Sequence, residues 1–199
     1  MDEAERIPDL YERYALAFDR IRGKSLIEKP WLQRFMAHLP PDGAVLDIGC
    51  GSGEPMAAAL LSQGYAVTGI DSAPTLIGLC RNRFPQAQWH VADMRALALA
   101  RRFDGLLAWH SFFHLTADDQ RRMFPVFAAH AQPGAVLMFT SGPGEGTAIG
   151  TFEGEALHHA SLSGAEYRDL LAANGFAVLD HMVEDAGCGG ATVWLAQSF

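Results

Sequence analysis

A short apolar run, Val45-Leu46-Asp47-Ile48, breaks directly into three alternating glycines, Gly49, Gly51 and Gly53. Few folds accommodate that pattern. Glycines let the backbone turn sharply and approach a ligand closely, and a helix starting just beyond them would offer unpaired N–H groups to an anionic group. The run therefore predicts a buried strand, a tight turn and a helix, with a ligand cleft at the strand's carboxyl end. In an open α/β sheet, ligands bind at that edge, where strand order reverses.

The rest of the chain repeats the unit. Apolar runs at Ala44 to Ile48, Ala66 to Ile70, Gln88 to Val91, Phe103 to Trp109 and Ala135 to Thr140 predict strands. Helical segments at about Glu54 to Gln63, Pro74 to Arg83 and Ala117 to Ala131 separate them, the last opening on Thr116 and Asp119 as a capping box. Such alternation predicts a parallel sheet with right-handed crossovers. Ser163 as cap, Glu166 closing the box and Gly175 as stop frame one more helix; two strand-like runs follow, Ala177 to Val183 and Thr192 to Ala196. The join between them, through Asp185 to Gly190, is too short for a helical crossover, so the pair should run antiparallel. Ahead of the alternation, Tyr11, Tyr14, Ala15, Phe18 and Ile21 recur at helical spacing, with Pro8 in the first turn and Gly23 as stop, and a second helix spans about Pro30 to Leu39.

At 199 residues the chain is expected to form a single domain, 1–199, with the N-terminal helices (1–39) as a cap over an α/β core (40–199). A net charge of -8, without a basic stripe, argues against a nucleic-acid partner. The acidic start, MDEAERIPDL, does not read as a secretory signal, and no apolar run is long enough to span a membrane. Cys50, Cys80 and Cys188 lack metal-ligand spacing, so no metal site is expected and a reducing cytoplasm fits best.

Two kinds of ligand compete for the glycine turn. A dinucleotide fingerprint needs glycine or alanine at position 54, where this chain has Glu54, a carboxylate that would repel a diphosphate. A ligand with an amino-acid end fits better, because Asp47 can face an ammonium group. Asp71 ends the next strand, where an acidic residue takes ribose hydroxyls, and Asp93-Met94 follows the third, placed for an adenine amino group and ring face.

Together, Val45 to Gly53, Asp71, Asp93-Met94, Phe103 to Leu115 and Pro133 to Phe139 resemble the successive motifs of the class I S-adenosylmethionine-dependent methyltransferases of small-molecule type. The likeness spans roughly residues 30–197. It implies a Rossmann-like, doubly wound seven-stranded α/β sheet in the order 3-2-1-4-5-7-6, strand 7 antiparallel, with helices on both faces. It also implies S-adenosyl-L-methionine as cofactor, S-adenosyl-L-homocysteine as product and a small-molecule acceptor. Carried over by position, Asp47, Gly49, Gly51 and Gly53 pass the methionine end, Asp71 and Ser72 the ribose, and Asp93 with Met94 the adenine; Trp109 is core or cofactor wall.

The absence of an Asn/Asp-Pro-Pro-aromatic run after the fourth strand argues against base methylation. If the acceptor is a hydroxyl or acid, a histidine is the usual proton recipient. His110, His114, His158 and His159 are placed for that role and His110 ranks first, while His114 has the alternative of packing or hydrogen-bonding within the fold. The expected acceptor pocket takes in Tyr11, Tyr14, Trp31, His158 and His159, under a long loop from Ser141 to Ala160 acting as a lid. Two other readings stay open: a non-catalytic regulatory protein that binds the cofactor, and a nucleotide-dependent oxidoreductase.

Overall fold

The structure, a computed structural model, describes residues 3–199. Its main sheet comprises β1 (Ala44–Ile48), β2 (Ala66–Asp71), β3 (Gln88–Val91), β4 (Phe103–Ala108), β5 (Ala131–Ser141), β8 (Phe176–Asp185) and β9 (Ala191–Ser198). The spatial order is β3-β2-β1-β4-β5-β9-β8, with β9 antiparallel to both neighbours and the other pairings parallel. Counted along this sheet alone, that is the expected order 3-2-1-4-5-7-6. The join from Ala186 to Gly190 does turn β8 back against β9.

Two apolar layers follow from the period-two alternation of the strands. Leu46, Leu106, Leu137 and Phe139 point to one face, where they meet Phe124 and Phe127 of α6 (Ala117–His130) and Tyr167 and Leu171 of α7 (Gly164–Ala173). Their neighbours Val45, Leu107, Val136 and Met138 point to the other. That face is covered by α3 (Lys29–Met36), α4 (Met56–Ser62) and α5 (Pro74–Arg83). Both faces are dry, which is why the central strands read as unbroken apolar runs.

Three local expectations change. The N-terminal periodic stretch is two helices, α1 (Ile7–Arg13) and α2 (Ala15–Ile21), because Tyr14 leaves helical geometry at φ -107°, ψ 20°. The segment expected to be a long loop is a separate hairpin, β6 (Gly146–Phe152) against β7 (Glu155–Ser161). Ser163 caps α7 through the Glu166 amide, but the Glu166 carboxylate closes no box and instead pairs with Arg121 at 2.6 Å.

The hairpin is fixed at both ends. At its base, Gln120 donates to the Ala160 carbonyl at 2.8 Å and accepts from the Tyr167 hydroxyl at 2.6 Å, while the Leu162 amide donates to that hydroxyl at 3.1 Å. At its tip, Phe152 stacks on Tyr11, and Glu155 accepts from Tyr14 at 2.8 Å and Arg13 at 2.6 Å. The sheet edge, α1 and the hairpin thus enclose one region at the carboxyl ends of β1, β2 and β4.

Gly69, in the middle of β2, leaves the space into which the Trp89 ring packs, and the Trp89 indole donates to the Phe84 carbonyl at 2.9 Å. An added methyl would overlap that ring. Gly69→Ala is expected to destabilise the fold by about 1–3 kcal/mol in chemical denaturation, the cost of overpacking a filled core.

Candidate functional site

The turn after β1 is shaped by positive φ at Gly49 (76°), Gly51 (56°) and Gly53 (82°). A side chain at Gly49 would collide with Ser111, whose hydroxyl donates to the Ile48 carbonyl at 2.6 Å. Gly49 and Gly51 line the cleft, whereas Gly53 faces the Phe84 ring and Cys80, so its lack of a side chain serves packing.

Four amides of this turn are already bonded within the protein. Gly49 and Cys50 donate to the Ile70 carbonyl at 2.8 and 2.9 Å, Gly51 to the Asp71 carboxylate at 2.9 Å, and Gly53 to the Cys50 carbonyl at 3.0 Å. Helix α4 opens behind Pro55, which has no N–H. Of the backbone donors expected in the turn, those of Ser52 and Glu54 have no partner among the described residues. Glu54 plays a different part as well, because Lys24 at 2.8 Å and Arg83 at 3.0 Å balance its charge. Glu54 is therefore not a free charge that would repel a diphosphate.

Three adjoining hollows, of about 90, 240 and 490 Å³, share this region. The smallest lies between the sheet edge and α1, walled by Ile7, Tyr11, Asp71, Ser72, Asp93 and Met94. The second takes in Arg22, Asp47, Gly49, Gly51 and Trp109. The largest opens between the hairpin and the β8–β9 turn, past Thr140, His159 and Glu184. His110 borders all three.

Asp47 is 3% exposed, and its surroundings disfavour its charge. Burial and the neighbouring Asp71 push its carboxyl up to about 7, with only Arg22 opposing. Burial also raises Asp71, although the Ala73 and Gly51 amides both donate to it at 2.9 Å. Asp93 is held by Arg95, whose Nε lies 2.9 Å from Oδ2, and this pairing lowers it against the opposing effect of burial. On Trp109, the indole N–H is buried and has no partner among the described residues. Asp47 and Trp109 both line the middle hollow, with the indole N–H enclosed by the protein.

His110 sits at φ 51°, its amide donating to Thr140 at 2.9 Å, and its ring is exposed toward the hollows. The protein crowding the ring, with Arg22 nearby, lowers its pKa to about 4, so the imidazole is neutral at physiological pH. His114 is placed differently from the base expected of it. Its Nδ1 faces the His158 carbonyl at 2.8 Å and so carries the proton, which leaves Nε2 to accept from the Tyr11 hydroxyl at 3.0 Å. With both nitrogens engaged and its pKa driven to about 3 by burial, His114 fixes Tyr11 and does not accept a proton from an acceptor.

The remaining expected pocket residues divide. Tyr11 and His159 line the hollows. Tyr14 bonds the hairpin tip through Glu155, outside them. Trp31 is core, 1% exposed, with its indole donating to Asp185 at 2.7 Å. His158 is turned inward, with Nε2 buried and unpartnered among the described residues. Arg22, Phe18 and Ser111 line the cleft without having been expected there. Phe18 was visible as part of the helical stripe, but no local pattern marked Arg22, whose position depends on where α2 stops.

Residues 45–134 match the family model described as a methyltransferase domain. The chain is 35% identical over 107 residues to the trans-aconitate 2-methyltransferase of Azoarcus sp. (strain BH72), covering 51% of this chain and 41% of that protein. Over 102 residues it is 34% identical to the ubiquinone biosynthesis O-methyltransferase of Coxiella burnetii (strain RSA 493 / Nine Mile phase I), covering 49% and 42%. The matches thus span about two fifths of these relatives' lengths. Among solved structures, the Burkholderia thailandensis 1,6-didemethyltoxoflavin-N1-methyltransferase, with S-adenosylhomocysteine and 1,6-didemethyltoxoflavin bound, shares the fold at a TM-score of 0.77. It is 20% identical, and the alignment covers 98% of this chain and 88% of that one.

The Asp47 carboxyl gives a direct test. Its folded pKa of about 7 lies above the unfolded value of about 4, so the stability linked to its protonation is complete below about pH 4 and is lost as pH rises through 7. Replacing it by asparagine removes that titration. In melts of the ligand-free protein, the midpoint of Asp47→Asn relative to wild type should be constant below about pH 4, climb to about pH 7 and level off. A difference independent of pH would show that Asp47 is not a buried, uncompensated acid.

Proposed function

Because the chain carries a methyltransferase domain of the class I S-adenosylmethionine-dependent family, we propose that it is an enzyme transferring the methyl group of S-adenosylmethionine to a small molecule. The observation that carries this reading is the buried Asp47 carboxyl, raised by burial and by Asp71, in a hollow it shares with Trp109 beside the glycine turn. An amino-acid end answers both residues, its ammonium opposite Asp47 and its methylene chain against the Trp109 ring. A diphosphate answers neither, which disfavours the oxidoreductase reading.

On this reading Asp71 and Ser72 hold the ribose. Asp71 keeps lone pairs beyond the two it gives to Gly51 and Ala73. Met94, with Ile7 and Leu115, walls the adenine, and Asp93 reaches its amino group while staying paired to Arg95. Helices α1 and α2 serve as the cap over the site, whereas α3 belongs to the layer packed on the sheet. Three free, buried cysteines fit a reducing compartment such as the cytoplasm; among the described residues no helix is long and apolar enough to cross a membrane.

The bound cofactor supplies a methyl group already activated on a sulfonium. What remains for the chain is to hold an acceptor in line, within about 3–3.5 Å of that carbon, and to keep water out. The shared position of His110 makes it the residue between cofactor and acceptor hollows, and its neutral imidazole can take a proton from the acceptor. Tyr11, locked by His114, seals the cap side.

Calorimetry with S-adenosylhomocysteine and NAD tests the assignment. We expect the former alone to bind, and Asp71→Asn to weaken it by about 1–3 kcal/mol without loss of the folded state. Binding of NAD alone would overturn the reading, and unchanged affinity in the variant would remove Asp71 from the ribose site.

A further inference from the structure

We propose that the acceptor is a small amine, methylated on nitrogen, and that carboxylate-bearing acceptors are excluded by the charge of the hollow that receives them. The proposal rests on the methyltransferase reading above and extends it to the acceptor's chemical class.

It follows from an inventory of charge. Among the residues lining the 490 Å³ hollow there is no lysine or arginine, while Glu145 and Glu184 both face it. Neither glutamate forms an ion pair among the described residues. His110 and His159, its two imidazoles, have lowered pKa values, chiefly because burial disfavours the cation, so they bring no positive charge at neutral pH. The two cations of the adjoining hollows are committed elsewhere. Arg22 lies 2.7 Å from the buried Glu28, and Arg95 is held by Asp93. A carboxylate entering here would meet two unpaired, solvent-exposed glutamates and, among the described residues, no free guanidinium, so like-charge repulsion opposes it. Trans-aconitate, the substrate named for one relative, is such a compound.

The same inventory favours nitrogen over oxygen in the reaction itself. As the nitrogen lone pair forms the new N–C bond, the C–S bond breaks and its electron pair stays on sulfur. Positive charge thereby moves from sulfur to nitrogen. An amine that arrives as its ammonium must first release one proton to water at the open mouth; the methylated product then carries the charge. Glu145 and Glu184 lie on the side of the hollow where that charge arrives and stabilise it. A phenolate or carboxylate would instead lose charge on methylation, and the two glutamates would give it nothing.

The test uses the full chain saturated with S-adenosylhomocysteine and matched triplets of probes, each an amine, an alcohol and a carboxylate on one carbon skeleton, across aromatic, aliphatic and sugar series. Binding is read by calorimetry, and transfer of labelled methyl is followed separately. We expect binding to concentrate among the amines, with each carboxylate at least about tenfold weaker than its amine. Glu145→Gln and Glu184→Gln should each weaken amine binding roughly fivefold, as loss of one partly solvated charge pair does, and leave S-adenosylhomocysteine affinity unchanged. Carboxylates binding as well as amines, amines failing in every series, or indifference to both substitutions would overturn the proposal while the cofactor reading stands. Failure to bind S-adenosylhomocysteine would overturn the methyltransferase reading itself.

Discussion

The hydrogen bond from the Gly51 amide to the Asp71 carboxylate, at 2.9 Å, joins the turn after β1 to the end of β2, and the site is arranged around it. With Gly49 and Cys50 both donating to the Ile70 carbonyl, three consecutive amides of the turn are directed at the neighbouring strand. Only a backbone at positive φ can aim them so, which is why glycine is required at 49 and 51. The bond also orients Asp71, because the Ala73 amide fixes its other oxygen. One carboxylate therefore closes the turn, starts the loop into α5 and borders the cleft.

Those satisfied amides change the electrostatic character of the cleft. Had they been free, the edge of the sheet would present positive ends of peptide dipoles. Instead it presents Asp47, Asp71 and Asp93, with Glu145 and Glu184 further out, against two guanidiniums that already have partners. The upward displacement of Asp47, caused first by burial and then by Asp71, records the same crowding of negative charge. A cationic ligand relieves it, and a nucleoside carrying both an ammonium and a sulfonium is well matched to such a surface.

Much of this was legible in the sequence because it depends on local pattern. Buried strands such as Val45 to Ile48 and Val136 to Phe139 show as apolar runs whatever surrounds them, and the short Asp185 to Gly190 join fixes an antiparallel pair by length alone. What escaped depends on contacts distant in sequence. Tyr14 and Trp31 look alike as aromatic residues on N-terminal helices, yet one meets Glu155 and the other Asp185, neither of which local spacing can reveal. The β6–β7 hairpin was hidden because its glycines imitate a loop and its outward face, from Gly146 to Ile149, is exposed. His114 read as a base because nothing nearby in the chain shows the Tyr11 hydroxyl and the His158 carbonyl that occupy its two nitrogens.

The attachment of the N-terminal helices separates the energetics of the site from those of the fold. Their apolar contact is a small cluster of its own, Ala15, Ala73 and Leu76 with Tyr11, Phe18 and Leu79, apart from the two large layers on the sheet. The other links are polar: Glu12 to Thr75, Asp19 to Arg83, Lys24 to Glu54 and Arg13 to Glu155. Partly exposed pairs of this kind contribute only about 0–1 kcal/mol each, whereas the sheet layers bury most of the large apolar side chains. Loosening α1 and α2 therefore costs far less than opening the core. Ile7, Tyr11 and Phe18 wall the cleft from these helices, so the segment that borders the cleft is packed apart from the two layers that stabilise the sheet.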